Sequence, residues 1–99
     1  MTERDKQELV AIISSYLPNA RIILFGSRAR GDTVSGSDID IALDNKTRID
    51  VHTIYAIKEA FEETRIPFTV DVIDLHAVSE MFKQQIFTEG LIWKMGWSD

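Results

Sequence analysis

Cysteine is absent from this 99-residue chain, and with it go disulfide scaffolds, thiol nucleophiles and thiolate metal centres. Histidine occurs only twice, as His52 and His76, each without an i, i+4 or acidic companion. Both are expected at helix starts, in surface or capping roles rather than as metal ligands or proton carriers. No stretch of eighteen apolar residues occurs, and the first ten residues, MTERDKQELV, are charged. Neither a membrane span nor a secretory signal is therefore expected, and the chain is expected in the cytoplasm. Basic residues are scarce: 11 Lys and Arg stand against 16 Asp and Glu, a net charge of -5 with a pI near 4.9. A nucleic-acid partner is disfavoured, because neutralising phosphates with Lys and Arg supplies most non-specific affinity. Linkers, repeats and low-complexity tracts are missing too, so one domain over residues 1–99 is expected. A chain of this size buries roughly 60–70% of its unfolded surface, enough for one core but not for a lid or a second lobe.

What the chain does contain is concentrated in residues 25–43, FGSRARGDTVSGSDIDIAL. Apolar runs flank a small-residue loop: Ile22-Ile23-Leu24-Phe25 before it and the segment from Ile39 to Leu43 after it, two buried strands by their pattern. Strand side chains alternate between faces, so Asp38 and Asp40 point the same way and can share a divalent cation. With only hard oxygen ligands in reach, Mg²⁺ or Mn²⁺ fits that pair far better than Zn²⁺. Gly26 lets backbone N–H groups approach an anion, and Ser27 begins a short helical turn over residues 27–30 whose N–H groups and dipole favour phosphate. Arg28 and Arg30 add positive charge beside it. Taken singly, Gly-Ser-Arg reads as a surface turn and the two acids as strand-edge charges; together they lay out metal-assisted phosphoryl chemistry.

Gly26-Ser27, ten residues, then Asp38-Ile39-Asp40 resembles the signature of the minimal nucleotidyltransferases (MNT) of the DNA polymerase beta superfamily. The resemblance is greatest to small antitoxin-type members that pair with a helical HEPN protein, which share the run Gly26-Ser27-Arg28-Ala29-Arg30-Gly31. It implies a third carboxylate on a later strand, and Asp71 within Phe68-Thr69-Val70-Asp71-Val72-Ile73-Asp74 is the natural match. The function it implies is transfer of a nucleoside monophosphate, AMP from ATP, to a hydroxyl, that hydroxyl being a tyrosine of the HEPN partner. In such a mechanism Asp38 and Asp40 hold Mg²⁺ against the triphosphate, and Gly26 and Ser27 bind its β- and γ-phosphates. Arg28 or Arg30 is auxiliary charge, and Asp71 either shares a second metal ion or acts as general base. Two alternatives accompany this reading: an antitoxin that blocks its partner by occupancy alone, and a nucleotidyltransferase for a small molecule.

The remaining pattern fits an α+β fold, a small mixed sheet with helices packed mainly on one face, like the palm of polymerase beta. Leu9, Ile12, Ile13, Tyr16 and Leu17 predict an amphipathic helix over residues 3–17, ended by Pro18-Asn19. Strands are expected over residues 21–25 and 38–44, with a turn at residues 45–47. Asp50 caps a helix over residues 51–64 whose Val51, Ile54, Ile57 and Phe61 face a core, and a third strand carries Val70 and Val72 opposite Asp71. Residues 79–88 form a last helix with Met81, Phe82 and Ile86 inward, stopped by Gly90 before an apolar tail containing Trp93 and Trp97. Those aromatics either pack the tail or face a partner. Glu59, Glu62 and Glu63 read as a solvated helix face, Asp74 as a strand-end or cap residue, and Asp32 and Ser37 as turn residues within reach of a nucleotide.

Overall fold

A computed structural model describes residues 1–30 and 38–96; Gly31, Asp32, Ser37 and Trp97 lie outside the described residues. Thr2 starts the first helix, α1 (Glu3–Tyr16), through a reciprocal cap: its hydroxyl accepts from Asp5 N at 3.1 Å and its own N–H donates to Asp5 at 3.2 Å. Leu9 and Ile13 of α1 are buried, whereas Tyr16, which the periodicity assigns to the same stripe, is exposed at the helix end. The strands are β1 (Arg21–Phe25), β2 (Ile39–Asp44) and β3 (Val70–Asp74). Between β2 and β3 runs α2 (Val51–Glu62), capped by Asp50, whose side chain accepts from His52 N at 2.8 Å. A 3-10 turn (Leu75–Ala77) and α3 (Glu80–Glu89) follow, and β4 (Leu91–Lys94) closes the described chain.

The sheet order is β3-β2-β1-β4. β1 pairs antiparallel with β2 and β4, while β2 and β3 run parallel, which requires the crossover that α2 supplies. The expected architecture is thus present, with one strand more than the periodicity predicts. Residues 91–94, read as a tail, complete the sheet along the free edge of β1.

Alternation along the strands splits the apolar residues into two cores. Ile22, Leu24, Ile39, Ile41, Leu43 and Val72 join Leu9 and Ile13 of α1 and Ile57 and Phe61 of α2 in the larger one. Ile23 and Ala42 face the other way, against Leu75 and Ile86, with Phe25 and Phe82 meeting edge to face at 5.8 Å. Two helices therefore cover one face, as expected, and α3 covers part of the other. Gly90 ends α3 without left-handed backbone; a Cβ there would lie 2.5 Å from Ile23 Cγ2, so its role is close approach of the helix end to β1.

Two side chains expected in the core lie outside it. Met81 is 83% exposed and Val51 54% exposed. Each sits in the first turn of its helix; Met81 lies about 100° around α3 from Phe82, which does pack against the smaller core. Trp93 packs against the larger core with Lys6 over its ring at 5.7 Å, which favours the packing role for that aromatic. No helix among the described residues is long and apolar enough to cross a membrane.

Candidate active site

β1 ends, β2 begins and β3 begins at the same end of the sheet, so the motif residues meet there. Phe25 pairs with Asp40, and Asp40 pairs in turn with Asp71 on the neighbouring parallel strand. Because strands lie about 4.8 Å apart, register partners on one face bring their side chains together. Asp38 sits one residue before β2 and is exposed, Asp40 is half-buried, and Asp71 is exposed on the edge strand.

The carboxylates feel one another. Burial first, then Asp71, then Asp38 raise the Asp40 carboxyl above its ordinary value of 3.8, while Arg30 pulls it down. The electrostatic coupling thus joins the three acids that the sequence pattern selects. Among the described residues no three His, Cys, Asp or Glu side chains converge into a ready-made metal cage. Like charges hold themselves apart without a counter-ion, and Mg²⁺ is ordinarily held by one or two carboxylates together with substrate phosphates. The all-oxygen carboxylate set around Asp40 suits such an ion by its chemistry.

Gly26 follows β1 with φ +77°, a conformation that L side chains rarely adopt. Its missing side chain also has a spatial reason: a Cβ at Gly26 would collide with Asp40 Oδ2. The glycine therefore turns the chain and lets the Asp40 carboxylate lie against the backbone, a constraint stricter than the anion approach argued from sequence. Ala29 N and Arg30 N donate to Gly26 O at 3.1 and 3.2 Å, closing the expected helical turn over residues 27–30.

The two arginines of that turn point to different elements. Arg28 stacks over the Phe68 ring at 4.3 Å, just before β3, and Arg30 pairs with Glu89 of α3 at 3.2 Å. The turn is thereby tied to both ends of the site. Lys58 of α2, which no local pattern singles out, reaches around the sheet edge to within 3.7 Å of Asp71 Oδ1. Its only sequence signal is a lysine on the crossover helix that precedes the third acidic strand.

Farther along the same face, Asp44 is 4% exposed, and His76 Nε2 lies 2.7 Å from its Oδ1, which also accepts from Lys46 N. This corrects the expectation that His76 has no acidic companion; the partner is 32 residues away in sequence. Asp74 fills its expected capping role, accepting from His76 N at 2.9 Å and Ile49 N at 2.8 Å. His52 stays at a helix start, as expected.

A family model described as "Polymerase beta, Nucleotidyltransferase" matches residues 7–94, which include Gly26, Arg28, Arg30, Asp38, Asp40, Lys58 and Asp71. The chain is 34% identical over 85 residues to a Haemophilus influenzae protein named "Probable protein adenylyltransferase MntA", covering 82% of this chain and 75% of that protein. It superposes with TM-score 0.77 and 26% identity on a chain of a crystal structure described as a toxin–antitoxin with AMP-PNP, covering 91% of this chain and 73% of the other. A chain from the complex of tri-AMPylated Shewanella oneidensis HEPN toxin with MNT antitoxin matches with TM-score 0.74, at 24% identity over 96% of this chain and 74% of the other; that likeness is one of fold.

Proposed function

This chain belongs to the polymerase beta nucleotidyltransferase family, and from that premise we propose that it transfers AMP from ATP to a tyrosine hydroxyl of a helical HEPN-type partner, acting as its antitoxin. The observation that carries the reading is the side-by-side registration of Asp40 and Asp71 on adjacent strands, with the Gly26 turn packed against the Asp40 carboxylate. That arrangement sets a glycine turn beside two neighbouring carboxylates. The name of the Haemophilus relative, a protein adenylyltransferase, and the AMP-PNP in the related toxin–antitoxin structure favour ATP as nucleotide and a protein as acceptor.

In the proposed mechanism Asp38, Asp40 and Asp71 would hold Mg²⁺, with Mn²⁺ as the alternative ion of the same chemistry. Bound there, the ion supplies neutralisation of the triphosphate charge and a lowered pKa for an attacking hydroxyl. The protein's own groups do the positioning. Gly26 and Ser27 present backbone N–H groups to the β- and γ-phosphates at the start of a helical turn. Arg30, already close enough to draw the Asp40 carboxyl downward, adds charge beside the departing pyrophosphate. Arg28, stacked on Phe68, braces the turn against the start of β3. Asp71 faces the acceptor side, as a metal ligand or as the base that takes the hydroxyl proton.

Co-expression with a HEPN-type partner, followed by incubation with ATP and Mg²⁺ and intact-mass analysis, tests the proposal. The expected result is one or more added AMP units on partner tyrosines. A stable complex that stays unmodified at saturating ATP would overturn transfer in favour of inhibition by occupancy.

A further inference from the structure

We propose that Glu89, the last residue of α3, is a positioning residue for nucleotide binding: through its ion pair it holds the Arg30 guanidinium beside the Gly26 turn, on the leaving phosphates of a bound triphosphate. The inference rests on the nucleotidyl-transfer reading above and adds to it a residue outside the signature loop. Arg30 Nη1 and Glu89 Oε2 are 3.2 Å apart, joining the Gly26 turn to the end of α3 across 59 positions of sequence. Gly26, Arg30 and Glu89 line one cavity of about 110 Å³, together with Phe82 and Ile86. That is well under the roughly 300–1,000 Å³ of small-ligand sites, so the cavity is a seam between turn and helix rather than a second binding site.

The placement of Glu89 opposes local preference. The C-terminal end of a helix carries partial negative charge from its free carbonyls, and cations are favoured there. α3 has no basic residue in its last turn and ends on a carboxylate, so the charge is answered from another element, by Arg30. As stability this contributes little, because both side chains are partly exposed, at 43% for Arg30 and 30% for Glu89. Proteins break local rules mainly at functional sites, and here the backbone holds the break in place. Gly90 N donates to Ile86 O at 2.7 Å, and a Cβ at Gly90 would lie 2.5 Å from Ile23 Cγ2, so the residue after Glu89 is pressed against β1. Glu89 thus stands on a fixed support. Arg30 answers to a second acid as well: burial, Asp71 and Asp38 raise the Asp40 carboxyl, and Arg30 opposes that rise. Set between Asp40 in the site and Glu89 outside it, the guanidinium stays beside the turn, where its fork of N–H donors suits phosphate oxygens.

Calorimetry on the full chain with Mg²⁺ and no partner tests this. Glu89→Gln is expected to weaken ATP binding by about fivefold or more, with AMP affinity within about twofold of wild type and a melting temperature equal to or above it. The sign is diagnostic. Removing a negative charge near the site should by itself tighten binding of a triphosphate, so weaker binding has to come through Arg30. Unchanged or tighter ATP binding overturns the proposal, and so does an equal loss for AMP, which lacks the leaving phosphates. A lowered melting temperature with unchanged ATP affinity would make the pair a structural strut and overturn it too. The second test is a cycle with Arg30→Gln, in which adding Glu89→Gln should cost no further ATP affinity. A full additional loss in that background shows that Glu89 acts without Arg30 and overturns the assignment. A wild-type chain that shows this dependence on Glu89 but transfers no AMP keeps the inference and overturns the transfer reading; a wild-type chain that binds no ATP overturns both.

Discussion

On the face covered by α1 and α2, β1 contributes Ile22 and Leu24 and β2 contributes Ile39, Ile41 and Leu43, none more than 5% exposed. On the opposite face the same two strands contribute Ile23, Phe25, Asp40, Ala42 and Asp44, and only Ile23, Ala42 and Asp44 are buried. One face is a sealed apolar layer; the other is apolar only where α3 and the 3-10 turn reach it, and acidic where they do not. Alternation places chemistry and stability on the same strand, one residue apart. The difference between faces therefore follows from coverage: a helix pair seals one side, while a single ten-residue helix leaves the β1–β2–β3 end open for carboxylates.

Substitutions at neighbouring positions of β2 test this division. Ile41→Ala on the sealed face should cost about 2–5 kcal/mol of stability, read by urea unfolding, because a fully buried side chain leaves a cavity. Below its unfolding transition the variant should keep its activity per folded molecule, and loss of catalysis in a well-folded Ile41→Ala protein would break the comparison. Asp40→Asn, one residue earlier, should show the opposite pattern. Pyrophosphate release from ATP should fall by about 10²–10³-fold, equivalent to about 2.7–4 kcal/mol, with a melting temperature equal to or above that of wild type.

Gly26→Ala sharpens the boundary between the two. Its positive φ costs a side chain about 1–2 kcal/mol, and the new methyl would push on the Asp40 carboxylate. Stability and ATP affinity should fall together, the first by thermal melt and the second by calorimetry; unaltered ATP binding would separate the turn from the nucleotide site.

The smallest effect is electrostatic. Asp40's carboxyl holds its proton more tightly folded than unfolded, so its favourable contribution is complete below pH 3.8 and is lost as pH rises through the elevated folded value. In EDTA, the melting temperature of Asp40→Asn relative to wild type should therefore grow from acid toward neutral pH, and Mg²⁺ with ATP should shrink the gap by stabilising only wild type. A gap independent of pH would remove the charge repulsion from the account.

Much of the fold is legible locally. The Thr2 cap, the Leu9 and Ile13 stripe, the turn at residues 45–47 and the Asp50 cap follow from neighbouring residues, and each forms as the pattern predicts. β4 is not legible, because Leu91–Lys94 is short and alternates weakly; it becomes a strand only because β1 offers an unpaired edge. Met81 and Val51 are exposed although both are apolar, since apolar character in a first helical turn does not say which side chains find a partner. The Gly26 turn and the Asp38–Asp40 spacing are local and readable, whereas Lys58 beside Asp71 and His76 beside Asp44 arise from contacts between distant segments.

The sequence by itself therefore determines the chemical character of the site: hard oxygen ligands, a glycine turn and two arginines within a few residues of one another, on a strand whose period of two puts the acids on one face. Tertiary structure decides which residues join them. The parallel crossover through α2 sets Asp71 opposite Asp40, 31 positions further along the chain, and brings Lys58 to Asp71. Such proximity depends on strand order and register, which periodicity cannot encode because it reports only the neighbours of each residue along the chain.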